Sequence, residues 1–319
     1  MAVNPTQGSL PSTPPDASFS PDSSGWSAAL YNKNANFVYS TAYTSPVLEL
    51  LAAKPGEKIA DFGCGSGQVS VTIEKAVKEK EGGYVAAADF SQSMVRSAVL
   101  ILSSLQKSLA TDRYPSLFHG PQIEKARTKG LPEAFVCDIQ DFTFPPPSEY
   151  NGPREGFDAV FTNATLHWCK RDPAGVIKSA KKILKSDGGR FVGEMGGFLN
   201  CIGVRSALKT VLKSKGYDGT ERDPWFFPSP EEYSKLLQAE GFTVSHISLT
   251  PRLTPLEAGL YGWLSTFVRG SWLKDLSDGE AEEVMREVEE MCRVDCQDGN
   301  GNWAVVYVRL RFVAVLAEA

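Results

Sequence analysis

The chain has 319 residues, of which 42% are hydrophobic and 22% are charged. This composition is typical of a globular protein with a full apolar core, and it excludes a collagen-like, coiled-coil or wholly disordered chain. The formal net charge is -5, from 33 basic and 38 acidic side chains. Because nucleic-acid binding needs a positive surface that displaces counterions, this balance predicts a small-molecule substrate and no nucleic-acid partner.

The cysteines and the N-terminus indicate the compartment. The six cysteines include no CxxC pair, which predicts reduced thiols and no metal site. No run of 18 apolar residues could span a bilayer, and the N-terminus has neither the basic nor the apolar region of a secretory signal. We therefore predict a cytoplasmic protein without membrane contact, either a monomer or a homodimer.

Residues 1–25 are rich in Pro, Ser and Thr, which predicts a disordered tail before a folded domain over 26–319. From Ile59 to Met195 short apolar runs alternate with segments of helical period, the pattern of a doubly wound, mostly parallel α/β sheet. A Pro- and Gly-containing segment at 106–132 is longer than a crossover needs and is interpreted as an insertion. The predicted strands are 59–62, 84–88, 134–137, 157–162 and 190–195.

After the fifth strand the pattern becomes mainly helical. Ser229-Pro230-Glu231-Glu232 is the signature of a capping box, and Gly241 ends that helix. Two more strands are predicted at 242–249 and 303–316, which makes seven, the last two closing the sheet as an antiparallel edge. The segments at about 196–240 and 252–300 are predicted to form a helical cap.

The first strand runs into a Gly-rich turn, Asp61-Phe62-Gly63-Cys64-Gly65-Ser66-Gly67, just before a helix. Glycines let the backbone turn tightly and approach a ligand closely. The spacing is GxGxG, whereas a dinucleotide fingerprint has its third glycine one residue later. The carboxylate of Asp61 would suit an amino group and disfavour a pyrophosphate.

Carboxylates also end the next two strands. Asp89 can accept hydrogen bonds from two vicinal ribose hydroxyls, and Asp138 can accept from an exocyclic amine. Met94 and Ile139 would offer apolar surface to an adenine ring, and we place Phe90 with them.

These motifs resemble those of the class I S-adenosylmethionine-dependent methyltransferases, over most of the chain from Trp26. The resemblance implies a Rossmann-like methyltransferase fold and S-adenosyl-L-methionine as cofactor. It implies that the glycine loop holds the methionine end of the cofactor, that Asp89 binds the ribose and that Asp138 binds the adenine. It also implies that Asn163 lies at the boundary between cofactor and substrate, and that Tyr31 is a lid over the cofactor. The trans-aconitate methyltransferase-like branch is suggested by Asn163 to Trp168, Trp225 to Tyr233, and Gly262 to Phe267.

For the acceptor, we expect an aromatic cover and a cation for an anionic substrate. His167 is the candidate catalytic proton acceptor, and a hydrogen-bonded structural role is the alternative. The predicted substrate residues are Trp168, Arg205, Trp225, Trp263, Phe267 and Arg269.

The sequence predicts methyl transfer to a small molecule, with O-methylation of a carboxylate such as a trans-aconitate-like acid as the first hypothesis. Three alternatives remain open. One is another small O, N or C acceptor, and the second is a nucleic-acid or protein substrate. The third is a cofactor-binding member of the fold that does not methylate, with a regulatory or cyclase-like role.

Overall fold

Five parallel strands form the part of the sheet on which the predicted motifs lie. In the computed structural model, which describes residue 22 and residues 25–99 and 134–316, these strands are β1 (Lys58–Phe62), β2 (Tyr84–Asp89), β3 (Ala134–Val136), β4 (Ala159–Asn163) and β5 (Arg190–Gly196). Almost every residue of β1, β2, β4 and β5 is buried, because helices cover both faces of the sheet. Most of the predicted tail, and the predicted insertion at 106–132, lie outside the described residues.

Two long antiparallel strands complete a seven-stranded sheet of order β3-β2-β1-β4-β5-β7-β6. They are β6 (Phe242–Pro255) and β7 (Ala304–Leu316), and β7 lies between β5 and β6. The α/β class, the mostly parallel sheet and the antiparallel edge are thereby confirmed. The prediction for β6 ended at Leu249 and was too short, since pairing with β7 continues to Pro255.

Helices α2 (Thr41–Leu51), α3 (Gln68–Val77) and α4 (Pro173–Ile183) pack on the sheet, and residues 92–99 are also helical. The short helix α1 (Ala28–Asn34) instead contacts the helix at Gly259–Phe267. The apolar residues Val69, Ile73 and Val77 of α3 are buried against β1 and β2, as their helical spacing predicts. Every helix in the described part of the chain is too short or too polar to cross a bilayer.

The helices after β5 separate into two groups. They are α5 (Ile202–Ser214), α6 (Pro230–Ala239), α7 (Gly259–Phe267) and α8 (Asp278–Cys296). Helices α5, α7 and α8 share a second apolar core, with Trp272 fully buried in it. Helix α6 begins with the predicted capping box and instead buries Tyr233 and Leu237 in the core of the sheet. We call α5, α7 and α8 the cap, and α6, which lies within the predicted cap segment 196–240, belongs instead to the core of the sheet.

Candidate active site

The carboxyl ends of β1 to β4 open into a cavity of about 890 Å³, which we call the strand-end cavity. Strand order reverses between β1 and β4, and ligands of open α/β sheets bind at such a reversal. Most of the sequence-predicted cofactor residues line this cavity: Tyr31, Asp61, Gly63, Gly65, Asp89, Phe90, Met94, Asp138, Ile139 and Asn163. Gly67 does not line it, because this residue lies at the N-terminus of α3, packed against Ala98.

The glycine loop has the conformation that only glycine adopts without strain. Gly63 and Gly65 have φ angles of +78° and +54°. A Cβ on Gly63 would lie 2.1 Å from Oγ1 of Thr165, which lies two residues after the end of β4. The Thr165 hydroxyl donates to the Gly63 carbonyl oxygen at 3.1 Å, and so joins the loops after β1 and β4.

Asp61 is a buried carboxylate at the inner end of the loop. Its Oδ2 accepts a hydrogen bond from the Ser70 hydroxyl at 2.6 Å. Burial raises the pKa of Asp61 to about 7, since the Ser70 hydrogen bond offsets only part of the lost hydration. A carboxyl group in this state would gain from an ammonium group in the cavity, and the site therefore fits the amino-acid end of the cofactor that the resemblance implies.

Asp89 uses both of its oxygens at the end of β2. Oδ2 accepts from the Gly65 amide and Oδ1 from the Ser91 amide, each at 2.9 Å. Burial raises the pKa of Asp89 despite these bonds, and nearby Asp22 adds to the rise. Each carboxylate oxygen has a second lone pair, so the group can still accept from a diol in the cavity.

Asp138 also has a structural role, because it caps the 3-10 turn that follows β3. Oδ1 accepts from the Gln140 amide at 2.9 Å, and Oδ2 accepts from Arg171 at 2.6 Å. Burial would raise the pKa of Asp138, but the hydrogen bonds from Gln140 and Arg171 outweigh it and lower the pKa. The carboxylate is therefore ionised, and it lines the cavity near Ile139.

Apolar side chains flank these polar groups at the rim. Phe90 is 60% exposed, although it lines the cavity, whereas Met94 and Ile139 are buried. A planar ring bound in the cavity would cover the exposed Phe90 side chain and contact the buried apolar groups beside it.

The segment before α2 passes over the glycine loop. Asp22 Oδ2 accepts from the Ser91 hydroxyl at 2.7 Å and from the Ser93 amide at 2.8 Å. Further along, the Ser66 hydroxyl donates to Asn32 Oδ1 at 3.0 Å. Tyr31 lies in this segment and lines the strand-end cavity, and its role as a lid stays a prediction.

A second, smaller space adjoins the first. It encloses about 40 Å³, and we call it the inner chamber. Tyr31, Asn163, Trp168 and Phe267 line both spaces, so the two are adjacent. The structure brings all the predicted aromatic substrate residues together here: Trp168, Trp225, Trp263 and Phe267.

Charged residues that sequence reasoning missed lie at one side of the inner chamber, which is lined there by Glu194, Arg252 and Arg309. Glu194 of β5 lies among Arg309 and Arg311 of β7 and Arg252 of β6. Arg309 Nε donates to Glu194 Oε1 at 2.9 Å, and Arg311 Nε donates to Oε2 at 2.5 Å. The sequence held a signal for them, because Tyr307, Arg309 and Arg311 alternate with apolar residues in a strand and must share a face.

His167 lies in the 3-10 turn after β4 and lines the inner chamber. Its Nδ1 accepts a hydrogen bond from the Gly196 amide at 3.3 Å. Burial holds the pKa of His167 well below its usual range, and Arg309 lowers it further. The ring is therefore neutral, and since Nδ1 accepts, its proton is on Nε2.

The structure does not bring Arg205 and Arg269 into the site. Arg205 donates to the buried carboxylate of Asp223 at 2.6 Å. Arg269 pairs with Asp278 at 2.6 Å and also donates to the Leu273 carbonyl oxygen. Neither residue lines either space, since both guanidinium groups hold parts of the cap together.

The crowding at Gly63 generates a stability prediction. Gly63→Ala should lower the free energy of unfolding by about 1–3 kcal/mol more than Gly156→Ala, measured by urea denaturation. Both glycines have positive φ, +78° and +70°, so both variants carry the strain of a left-handed alanine. Only at Gly63 does the new Cβ meet other atoms, since nothing lies within 4 Å at Gly156. Equal losses in the two variants would show that the contact with Thr165 can relax.

Comparisons with known proteins agree with this geometry. A family model described as a methyltransferase domain matches residues 35–247. A Schizosaccharomyces pombe protein, named as an uncharacterized methyltransferase, is 27% identical over 297 residues, which are 91% of this chain and 97% of that protein. A Bacillus halodurans structure assigned to the methyltransferases shares the fold, with a TM-score of 0.52 and 13% identity over 86% of this chain and 98% of that one. The chain therefore belongs to the methyltransferase domain family, as an S-adenosylmethionine-dependent enzyme.

Proposed function

We propose that the enzyme transfers the methyl group of S-adenosylmethionine to a carboxylate oxygen of a small-molecule acid that binds where the inner chamber meets the strand-end cavity. One observation carries the choice of acceptor. The chamber that adjoins the strand-end cavity is lined by two arginines, and neither its histidine, His167, nor its carboxylate, Glu194, takes a proton readily.

The first candidate base is His167. A general base must offer a lone pair to the proton that it removes, within hydrogen-bond reach. The Nδ1 lone pair of His167 is used by the Gly196 amide, and Nε2 carries the proton of the neutral ring. We infer that His167 donates a hydrogen bond from Nε2 to the acceptor.

The second candidate base is Glu194. Burial alone would raise the pKa of Glu194, but the guanidinium groups of Arg309 and Arg311 outweigh it and hold the pKa below its usual value. A carboxylate with a lowered pKa is a weak proton acceptor at neutral pH. A phenol or amine acceptor would have to lose a proton during the reaction, whereas an acceptor carboxylate is already ionised and needs no base.

Cofactor residues follow from the strand-end cavity. We assign the ammonium group of the cofactor to Asp61, its ribose hydroxyls to Asp89, and its adenine to Asp138, with Phe90, Met94 and Ile139 around the ring. The cofactor, when bound, supplies an electrophilic methyl group on a sulfonium. Asn163 and Tyr31 line both spaces, which supports a position for them beside the point of transfer.

In this mechanism the protein acts by positioning. The aromatic side chains Trp168, Trp225, Trp263 and Phe267 would hold the acid in line with the methyl group and exclude water. Transfer joins a carboxylate to the methyl group and gives an ester, so negative charge on the reacting oxygen is lost. A cation directly on that oxygen would stabilise the starting state more than the transition state.

Turnover with a carboxylic acid is the first test. We expect the enzyme to convert trans-aconitate to a methyl ester with stoichiometric release of S-adenosylhomocysteine, both followed by mass spectrometry. At saturating concentrations of both substrates, the rate should stay constant from about pH 6.5 to 8.5, because no base has to be deprotonated.

The His167→Gln variant is the matched control for this test, because its side-chain amide can replace the Nε2 donor and does not titrate. It should keep the flat profile. Because the pKa of His167 is held well below its usual range, a His167 base would also give a flat profile, and the rate of the variant is therefore the discriminating measurement. A fall of about a hundredfold or more in His167→Gln would identify His167 as a base, whereas a rate within about tenfold of wild type supports the donor role. Methylation confined to phenols or amines would overturn the carboxylate assignment.

The raised pKa of Asp61 predicts how cofactor affinity changes with pH. Only the ionised carboxylate attracts an ammonium group, and with a pKa of about 7 the ionised fraction rises from about a tenth at pH 6 to about nine tenths at pH 8. The association constant for S-adenosylmethionine should therefore rise about tenfold over this interval, measured by calorimetry. In Asp61→Asn the affinity should be lower and almost independent of pH, and an unchanged slope would remove Asp61 from the ammonium site.

The ribose assignment is testable with a double-mutant cycle. Wild-type protein should bind S-adenosylhomocysteine about 1–3 kcal/mol more tightly than its 2′,3′-dideoxy analogue, because the analogue leaves Asp89 without hydroxyl donors. In Asp89→Ala the difference between the two ligands should be close to zero. The cycle removes any general effect of the variant on the loop, which loses its bonds to the Gly65 and Ser91 amides. A ligand difference that persists in Asp89→Ala would place the ribose elsewhere.

A further inference from the structure

The register of strands β5, β7 and β6 brings the charged residues at the side of the inner chamber together on one face of the sheet. In β7, Tyr307, Arg309 and Arg311 are two residues apart and share one face of the sheet. Across the neighbouring strands, Glu194 pairs with Arg311 and Arg252 pairs with Tyr307, so all five side chains lie on that face. Three guanidinium groups therefore surround a single carboxylate.

This cluster has an excess of positive charge. Arg309 and Arg311 each bond one oxygen of Glu194, whereas Arg252 Nη1 stays 4.0 Å from Oε1 and stacks on the ring of Tyr43. Burial lowers the pKa of Arg252, and repulsion from Arg309 lowers it further. The cluster would be stabilised by a second anion.

Donor groups of the cluster also lack acceptors. Arg252 Nε is buried and has no hydrogen-bond partner within the described residues. Arg309 is 3% exposed, and among its nitrogens only Nε has a hydrogen bond to a described residue. Arg252 and Arg309 both line the inner chamber. Buried guanidinium donors of this kind suit the two oxygens of a carboxylate.

The size of the chamber limits what enters it. It encloses about 40 Å³, and roughly 10–15 Å³ accommodates one water molecule. The chamber therefore holds one small group, and the rest of the acid has to extend towards the strand-end cavity. The group that the arginines hold cannot be the one that reacts, since a cation on the reacting oxygen would oppose ester formation.

We propose that Arg252 and Arg309 form a subsite for a second, unreactive carboxylate of the acceptor, and that the enzyme acts on acids with at least two carboxylates. This inference rests on the proposed function, because it takes the acceptor to be an acid. Glu194 is the counter-ion that holds Arg309 in place, and Arg252 supplies the charge that discriminates between acids.

Matched pairs of acids test the subsite without turnover. The protein, saturated with S-adenosylhomocysteine, is titrated calorimetrically with malonate and propanoate, succinate and butanoate, and glutarate and pentanoate. The members of each pair have the same number of carbons and differ in one terminal carboxylate. In at least one pair the dicarboxylate should bind about tenfold more tightly or better, and Arg252→Met should reduce that ratio to near one.

Arg286→Met is the control variant. Arg286 stacks on Tyr261 at 3.9 Å, as Arg252 stacks on Tyr43 at 3.9 Å, but it lies outside both spaces. It should leave the ratio unchanged. Both variants should retain wild-type affinity for S-adenosylhomocysteine, since neither residue lines the strand-end cavity, and this affinity reports that they are folded.

Three results would overturn the subsite. They are equal affinities within every pair, a preference that survives in Arg252→Met, and no binding of any dicarboxylate. The outcome is separable from that of the proposed function. Tight dicarboxylate binding without ester formation would contradict the proposed carboxyl methylation and support the subsite. Methylation of mono- and dicarboxylates at equal efficiency would support carboxyl methylation and contradict the subsite.

Discussion

The close approach of Gly63 to Thr165 is the constraint on which the site depends. The chain leaves β1 with a left-handed residue whose missing Cβ makes room for the Thr165 side chain, and the Thr165 hydroxyl bonds the Gly63 carbonyl oxygen at 3.1 Å. The loops after β1 and β4 are thereby held at a fixed separation at the reversal of strand order. The strand-end cavity lies on one side of this contact, and the inner chamber adjoins it beyond Asn163.

Three carboxylates end three neighbouring strands, yet their surroundings give them different properties. Asp61 has one hydroxyl donor, and burial raises its pKa to about 7. Asp89 accepts two backbone amides and still has a raised pKa, whereas the pKa of Asp138 is lowered by Gln140 and Arg171. The electrostatic attraction for a cationic group is therefore greatest where hydration has been lost with least compensation, at Asp61.

The parallel half of the fold and the cofactor side of the site could be predicted from the sequence because their signals are local. An apolar run followed by glycines fixes a strand end, and the parallel order brings Asp61, Asp89 and Asp138 to the same edge. Phe90 and Met94 follow Asp89 directly, so they lie at that edge as well.

The cation partners could not be predicted in this way. Arg205 and Arg269 lie on or beside predicted helices near the aromatic residues, and nothing in their spacing reveals that Asp223 and Asp278 neutralise them. Arg252 and Arg309 are 57 positions apart, and only the register of β6 on β7 brings them to one face. The prediction also ended β6 at Leu249, which left Arg252 outside any strand. Contacts that depend on long-range antiparallel register have no local signature, although the alternation from Tyr307 to Arg311 does indicate a shared face.

The neutral state of His167 and the positive charge of the arginine cluster are related, because both lie in the inner chamber. Burial, and after it repulsion from Arg309, holds the pKa of His167 low, so the ring stays neutral and adds no third excess charge to the chamber. The neutral ring can then present an Nε2 donor whose state does not change near neutral pH. An acid bound in the chamber would find fixed cations for its unreactive end and a neutral donor for positioning. The chamber would therefore select for negative charge while it leaves the nucleophilic oxygen unpaired with any cation, which is the condition that methyl transfer to a carboxylate requires.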